Sequence, residues 1–120
     1  MLSLSNGNRI FIRREATDMR LGYEGLRNLA VTAFARDPFD GSVFVFFNRG
    51  HNRCKLLCWD KGGFWLLCRR LEKGTFAVPD SALPGERVEF DRVELAMFLD
   101  GVVAKDIRKK IRYIPSGKPI

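Results

Sequence analysis

The sequence lacks any run of 18 consecutive apolar residues, which is about the length that a membrane-spanning helix requires. Residues 1–10 also lack the basic and apolar regions of a secretory signal peptide. We therefore expect a cytoplasmic protein. A chain of 120 residues is long enough for one domain, and its 46% apolar residues can form a core that needs no metal or disulfide.

Cysteine is scarce, and its spacing argues against disulfide and metal chemistry. Cys54 and Cys58 would share one face of a strand roughly 13 Å apart, at about 3.3 Å per residue, which is too far for a disulfide. Their C-x3-C spacing, with distant Cys68 and the single histidine His51, also differs from the C-x2-C pairs of structural zinc sites. We expect reduced, buried thiols that act as small hydrophobic side chains, and no bound metal.

Residues suited to catalysis are equally few. A pair of His51 and Cys54 is conceivable, but His51 falls in a predicted hairpin turn, and a thiol in an apolar strand has a raised pKa. The stretch "GHNRCK" does not have the spacing of a phosphate-binding loop. We expect no catalytic residues and no cofactor. Turn formation or capping explains the aspartates near the predicted element ends, Asp18, Asp37, Asp40 and Asp60.

Negative charge is under-represented, because 14 Asp and Glu face 21 Lys and Arg, for a net charge of +7. Such an excess favours an anionic partner, and nucleic acid is the commonest one for a small basic domain. The charge is also segregated: residues 74–103 contain two basic and six acidic side chains, whereas residues 104–120 contain six and one. The basic C-terminal segment is therefore a candidate contact surface.

Hydrophobic periodicity predicts an α+β domain over residues 1–113. Alternation in "NRIFIRR" (8–14) indicates a strand, with Arg9, Phe11 and Arg13 on one face. A helix should follow, with Thr17 or Asp18 as its N-cap. We expect Gly22 and Gly25 inside this helix to lie against the sheet. Its predicted inner face consists of Met19, Tyr23, Leu26, Ala30 and Ala33.

The middle of the chain is typical of an antiparallel meander, because short glycine-bearing turns separate its apolar runs. A second helix should begin at Asp91, where Glu94 completes a capping box, and end at Gly101. Residues 80–90 should cross the surface between the last strand and this helix. The segment "KDIRKKIRY" (105–113) could form a short basic helix, followed by a disordered tail at 114–120. The predicted strands are 43–48, 54–59, 64–71 and 74–79.

The aromatic residues of this meander could be core or contact surface. Strand alternation places Phe44 and Phe46 on one face and Val43, Val45 and Phe47 on the other, so both faces are apolar. A base-stacking platform would instead have one aromatic and basic face and one apolar face. We expect a strand covered on both sides, by the two helices or by a partner subunit. A partner subunit would make the protein a dimer or a component of a larger complex.

The basic residues form the stronger candidate site. Cations at hairpin ends can contact backbone phosphates with little dependence on base sequence. A single such cation is more often a solvated turn residue, so we infer binding from the whole group together with the basic tail. Binding of this kind would place the protein at the nucleoid. The candidate nucleic-acid-binding residues are Arg49, Arg53, Lys55, Arg69, Arg70, Lys105, Arg108, Lys109, Lys110 and Arg112.

Three ordered blocks, "TDMRLGYEGL", "DPFDGSVFVFFNRGHNRCKLLCWDKGGFWL" and "CRRLEKGTFAVP", carry a family resemblance. Over roughly residues 2–112 the sequence resembles the TnpB accessory proteins, which are encoded by the second open reading frame of the sixty-six class of bacterial insertion sequences. They are distinct from the RNA-guided nucleases of the same name. The positions that match the family's motifs are Thr17, Asp18, Met19, Arg20, Gly22, Gly25, Phe44, Phe46, Lys55, Trp59, Arg70, Leu71, Glu72 and Gly74.

The resemblance implies a non-enzymatic helper of transposition, encoded beside a separate transposase. Its expected partners are insertion-sequence DNA ends, the transposase and other proteins encoded by the element. The alternative is an adaptor that binds the transposase and does not contact DNA. Most matched positions have structural explanations. Arg20, Lys55 and Arg70 do not, because a helix start and strand interiors need no cation, so we expect these three to contact DNA or the transposase.

Overall fold

The computed structural model describes residues 7–77 and 87–102. In these ranges, five strands form one sheet that is flanked by two helices. The α+β class and the predicted order of elements are confirmed. The elements are β1 (Ile10–Arg13), α1 (Tyr23–Phe34), β2 (Val43–Phe47), β3 (Arg53–Asp60), β4 (Gly63–Arg70), β5 (Arg87–Phe90) and α2 (Arg92–Asp100).

The sheet has the strand order β4-β3-β2-β1-β5. Strands β2, β3 and β4 form the predicted antiparallel meander. Lys61 and Gly62, with φ of 47° and 86°, make the tight turn between β3 and β4, where both central residues need positive φ. β1 pairs with β2 in parallel, because α1 crosses over between them, and β5 pairs with β1 in the antiparallel sense. The sheet is therefore mixed.

The prediction of a strand at 74–79 was wrong over residues 74–77, the part of it that the structure describes. Thr75 makes only an isolated antiparallel bridge to Val102, just after α2. The remaining strand is β5, which lies in the segment predicted to cross the surface and pairs with β1 at the edge of the sheet. Its sequence, "RVEF", is too short to show a clear alternation, and only the pairing with β1 reveals it.

The predicted start of the first helix was also wrong. α1 begins at Tyr23, and its N-cap is Gly22, which makes no side-chain capping hydrogen bond. Residues 17–22 form a separate turn segment instead, in which the Thr17 amide donates to the carbonyl oxygen of Phe47 at 2.7 Å. A Cβ on Gly25 would lie 2.7 Å from the Leu21 side chain, so this glycine permits close packing against the turn segment rather than against the sheet.

One face of the sheet packs against α1. Phe11, Phe44 and Phe46 are buried there against Phe34 of the helix, and the ring centroids of Phe34 and Phe44 are 5.2 Å apart. The predicted basic face of β1 was therefore wrong at Phe11, which is only 3% exposed because α1 covers it.

The opposite face packs against α2. This helix begins with the predicted capping box of Asp91 and Glu94 and ends at Gly101. Its buried residues, Leu95 and Phe98, lie in the same cluster as Val45 of β2. The two helices thus cover the two faces of β2. This agrees with the predicted alternative in which the helices, rather than a partner subunit, cover the strand. None of the helices in the described part of the chain is long and apolar enough to cross a membrane.

Candidate nucleic-acid interface

Three arginines, Arg53, Arg69 and Arg70, lie at the end of the sheet where β3 begins and β4 ends. Antiparallel pairing places Arg53 directly opposite Arg70, and Cys54 opposite Arg69. Because directly paired residues share a face of the sheet, Arg53 and Arg70 lie on the α1 side and Arg69 on the α2 side. The structure therefore brings together three of the predicted binding residues at one end of the hairpin.

The charges at this end of the sheet are only partly offset. Arg70 pairs with Glu72, with 3.0 Å between Nε and the carboxylate, and both side chains are largely exposed. Arg49, Arg53 and Arg69 form no ion pair with any residue of the two described ranges. Since like charges directly opposite each other destabilise a sheet, the Arg53 and Arg70 pair is a cost to the isolated fold.

Arg49 lies in the turn that leads into β3, and this turn is well ordered by hydrogen bonds. The Asn48 side-chain oxygen accepts from the amides of Asn52 and Arg53, both at 3.0 Å. The Asn48 side-chain amide donates to the Asn52 Oδ1 at 2.8 Å. His51 adopts a φ of 57°, and its carbonyl oxygen accepts from the Phe76 amide. The exposed Arg49 is thus presented by a turn fixed at both ends.

A shallow groove of about 390 Å³ lies beside these arginines. We call it the basic groove. Met19, from the turn segment 17–22, forms part of its wall, although sequence reasoning did not assign it to a site. The sequence feature that could have identified Met19 as a site residue is its position in the "TDMR" block, which matches the family's motif. The basic groove is lined by Met19, Arg53, Cys54, Lys55, Cys68, Arg69 and Arg70.

Lys55 has an internal partner, contrary to the prediction that its position needs no cation. Its Nζ donates to the carbonyl oxygen of Leu21 at 2.8 Å, and the side chain is half-buried. Leu21 directly precedes the N-cap of α1. Lys55 therefore ties the turn segment 17–22 to the middle of the sheet and contributes to the shape of the basic groove.

Arg20 lies near this groove but its charge is largely offset. Its guanidinium contacts both carboxylate oxygens of Asp18, with the shortest distance 2.8 Å, and its backbone amide donates to the same carboxylate. These hydrogen bonds, the side-chain one first, lower the pKa of Asp18 to about 2. The Arg20 side chain is 92% exposed, so it remains accessible to a partner that would displace Asp18.

The cysteine and histidine positions give no sign of an activated nucleophile. Burial raises the pKa of Cys54 to about 12 and also raises the pKa of Cys58. The His51 ring packs edge-on against Phe47, with centroids 5.1 Å apart. The prediction that all three cysteines are buried was wrong for Cys68, which is exposed because it lies on the edge strand β4.

We expect Cys68 alone to react with a maleimide in the native protein at pH 8. With a pKa of about 12, Cys54 has a thiolate fraction of about one in ten thousand at that pH, and it is also buried. Mass spectrometry should count one label in buffer and three in denaturant. Rapid labelling of Cys54 in the folded protein would contradict this description of the site.

The structure does not describe residues beyond 102, which include the short basic helix predicted at 105–113 and the disordered tail predicted at 114–120. The same is true of five predicted binding residues, Lys105, Arg108, Lys109, Lys110 and Arg112.

A larger groove, of about 780 Å³, lies at the other edge of the sheet, between β5 and α2. Its charges are mixed: Arg9 pairs with Glu89 at 2.6 Å, and Asp91 is engaged in the capping box of α2. Such a surface attracts a polyanion less than the basic groove does. No group of three or more His, Cys, Asp or Glu side chains in the described ranges could hold a metal ion.

The fold and the basic groove define a small α+β protein with a cationic strand end. Residues 8–109 match the family described as IS66 Orf2 like protein, and the chain belongs to this family. The family is one of insertion-sequence accessory proteins and is not a known enzyme family. The resemblance noted from the sequence blocks is thereby confirmed.

Two proteins of Sinorhizobium fredii (strain NBRC 101917 / NGR234) are similar over most of their length. Uncharacterized protein y4jC is 31% identical over 112 residues, which is 91% of this chain and 96% of the relative. Uncharacterized protein y4hO is 29% identical over 102 residues, which is 85% of this chain and 87% of the relative. No solved structure matches the chain.

Proposed function

We propose that this protein is a non-catalytic accessory factor of transposition that binds insertion-sequence DNA through the basic groove. It would act in the cytoplasm, at the nucleoid, within a complex that contains the transposase. Membership of the IS66 Orf2-like family supports the role in transposition. The site and its ligand are argued from the charges at the end of the sheet.

The observation that carries this proposal is the direct opposition of Arg53 and Arg70. Like charges in these positions repel each other, Glu72 offsets only the charge of Arg70, and a bound anion would offset the rest. Guanidinium groups suit phosphate especially well, because their planar arrangement of donors matches two phosphate oxygens. Arg69 adds positive charge on the other face of the sheet, and Arg49 adds it in the adjoining turn. Together these arginines could contact successive phosphates of a DNA strand that passes around this end of the sheet.

Phosphate contact is favoured over base stacking by the burial of the aromatic residues of β2. Phe44, Phe46 and Phe47 are at most 1% exposed, so none of them can stack on a base. Binding through phosphates alone is largely independent of base sequence and strongly dependent on salt. We propose that the basic tail at 105–112 extends this contact along the DNA.

The experiment that tests this proposal is an electrophoretic titration of duplex insertion-sequence ends with the purified protein. We expect retardation at low salt, and an affinity that falls by orders of magnitude as salt rises to moderate concentration, because bound counterions are released from the DNA. Absence of any retardation at low salt would rule the proposal out.

The alternative is an adaptor that binds the transposase without contacting DNA. It is favoured by the internal partners of Arg20, Lys55 and Arg70, which lower the free charge of the site, and by the exposed apolar side chains of Val93 and Met97 on α2. An adaptor should co-purify with the transposase after nuclease treatment and leave DNA unretarded. Retardation by the protein alone would decide against it.

A further inference from the structure

The two edges of the sheet differ in a way that points to a partner. β5 is only four residues long, and its Glu89 forms an ion pair with Arg9, features that protect an edge against pairing with another chain. β4 is eight residues long, contains no proline, and has the apolar run Leu66, Leu67 and Cys68 at its centre. No strand in the described ranges pairs with its outer side.

The backbone groups on the outer side of β4 can be assigned from its pairing with β3. The Leu71 amide donates to the carbonyl oxygen of Asn52, its opposite residue, so the odd-numbered residues of β4 direct their N–H and C=O groups toward β3. The even-numbered residues must therefore direct theirs outward. These are Phe64, Leu66, Cys68 and Arg70, which form an unpaired row of donors and acceptors.

We propose that a second copy of this chain pairs with this row, antiparallel, about a two-fold axis at Leu67. In this register Leu66 lies opposite the partner's Cys68, and Phe64 lies opposite the partner's Arg70. All four outward-directed residues then form hydrogen-bonded pairs, and the two sheets become one continuous sheet. A register with its axis at Leu66 or Cys68 leaves part of the row unpaired.

The side chains of β4 are self-complementary in this register. Arg70 would lie beside the partner's Phe64 on the α1 side, and Arg69 beside the partner's Trp65 on the α2 side. Each arginine thus faces an aromatic ring, which attracts a guanidinium, and like charges are kept apart. At the axis, Leu67, which is 41% exposed in the single chain, would contact the partner's Leu67 and lose this exposure.

The dimer does not depend on the proposed DNA binding, but it would affect its geometry. Because the two-fold axis is perpendicular to the sheet, both basic grooves would face the same side. Arg70 and the partner's Arg70 would be offset by six residues, or roughly 20 Å at about 3.4 Å per residue. One duplex could contact both grooves, which would raise the effective affinity.

Disulfide trapping tests the register directly. Leu67→Cys, in a Cys68→Ser background, would place two cysteines opposite each other in a non-hydrogen-bonded pair, about 4.5 Å apart between Cα atoms and within disulfide range. We expect most of the protein to form a covalent dimer under mild oxidation, as seen by non-reducing electrophoresis. Arg69→Cys in the same background is the matched control, because the two cysteines would be roughly 14 Å apart, and it should stay monomeric.

A second measurement tests the dimer without oxidation. Leu67→Glu places two like charges against each other at the axis and should convert a dimer into a folded monomer in sedimentation or light scattering. Met97→Glu, at a comparably exposed apolar position on α2, should leave the dimer intact. A monomeric natural protein at micromolar concentration, a dimer that survives Leu67→Glu, or equal cross-linking at 67 and 69 would each overturn the proposal.

Discussion

Replacing Arg53 and Arg70 together with glutamine should weaken the binding of duplex DNA at least tenfold, which corresponds to about 1.4 kcal/mol. The two residues lie directly opposite each other at the end of the β3–β4 hairpin, and Arg53 has no ion-pair partner in the described ranges. Each lost phosphate contact should reduce the slope of log affinity against log salt by about 1. A fluorescence titration at several salt concentrations measures both quantities.

A matched control separates the site from net charge. Arg27→Gln with Lys61→Gln removes the same charge from α1 and from the far turn of the β3–β4 hairpin, away from the basic groove. It should lower affinity much less. Equal losses in the two variants would show that binding is a diffuse effect of positive charge, and the groove would lose its assigned role. Lys55 is left unchanged because its bond to Leu21 supports the groove.

Replacing Phe44 with alanine should destabilise the folded protein by about 3–5 kcal/mol, the usual cost of removing a fully buried aromatic side chain. Phe44 is 0% exposed, at the centre of the sheet, and its ring packs against Phe11 and Phe34 with centroids 6.2 Å and 5.2 Å away. Unfolding in urea, followed by circular dichroism, gives the loss of free energy directly.

The conservative change Phe44→Leu is the control for this prediction, and it should cost less than about 1.5 kcal/mol because most of the buried volume is kept. DNA affinity of the folded fraction should be the same in both variants and in the natural protein. A Phe44→Ala protein of normal stability that binds DNA poorly would contradict the core assignment and restore base stacking as the mechanism.

The meander and the second helix were predictable because their signals are local. Short glycine-bearing turns separate apolar runs between residues 43 and 71, and the Asp91 and Glu94 pair is a capping box that needs no tertiary contact. Alternation in β2 also predicted apolar faces on both sides, which the two helices cover. The family resemblance came from motif blocks that lie mostly in these same well-predicted segments.

The features that were missed depend on contacts between distant segments. β5 has four residues and is a strand only because β1 offers it an edge. Thr17 and Asp18 were candidate caps by residue type, but the Thr17 amide is used by Phe47 and the Asp18 carboxylate by Arg20. Because these groups are used in the turn segment 17–22, α1 begins only at Tyr23.

In the candidate site, too, the features with local sequence signals were predicted and those that depend on distant contacts were missed. Sequence reasoning identified Arg53, Arg69 and Arg70, because hairpin ends are visible in the sequence. It could not foresee that Lys55 reaches Leu21, since those residues are 34 positions apart. Nor could it place Cys68 at the surface, because the strand order that makes β4 an edge follows from the pairing of the whole sheet.

The most direct test of the central claim is to map the DNA contact by backbone amide chemical shifts during titration with a short duplex. Binding through the basic groove predicts that the largest changes occur at residues 49–55 and 68–71, with smaller ones at 19–21 and little at the Lys61–Gly63 turn. Changes confined to residues beyond 102, or centred on Arg9, Glu89 and Arg92 at the opposite edge, would contradict it.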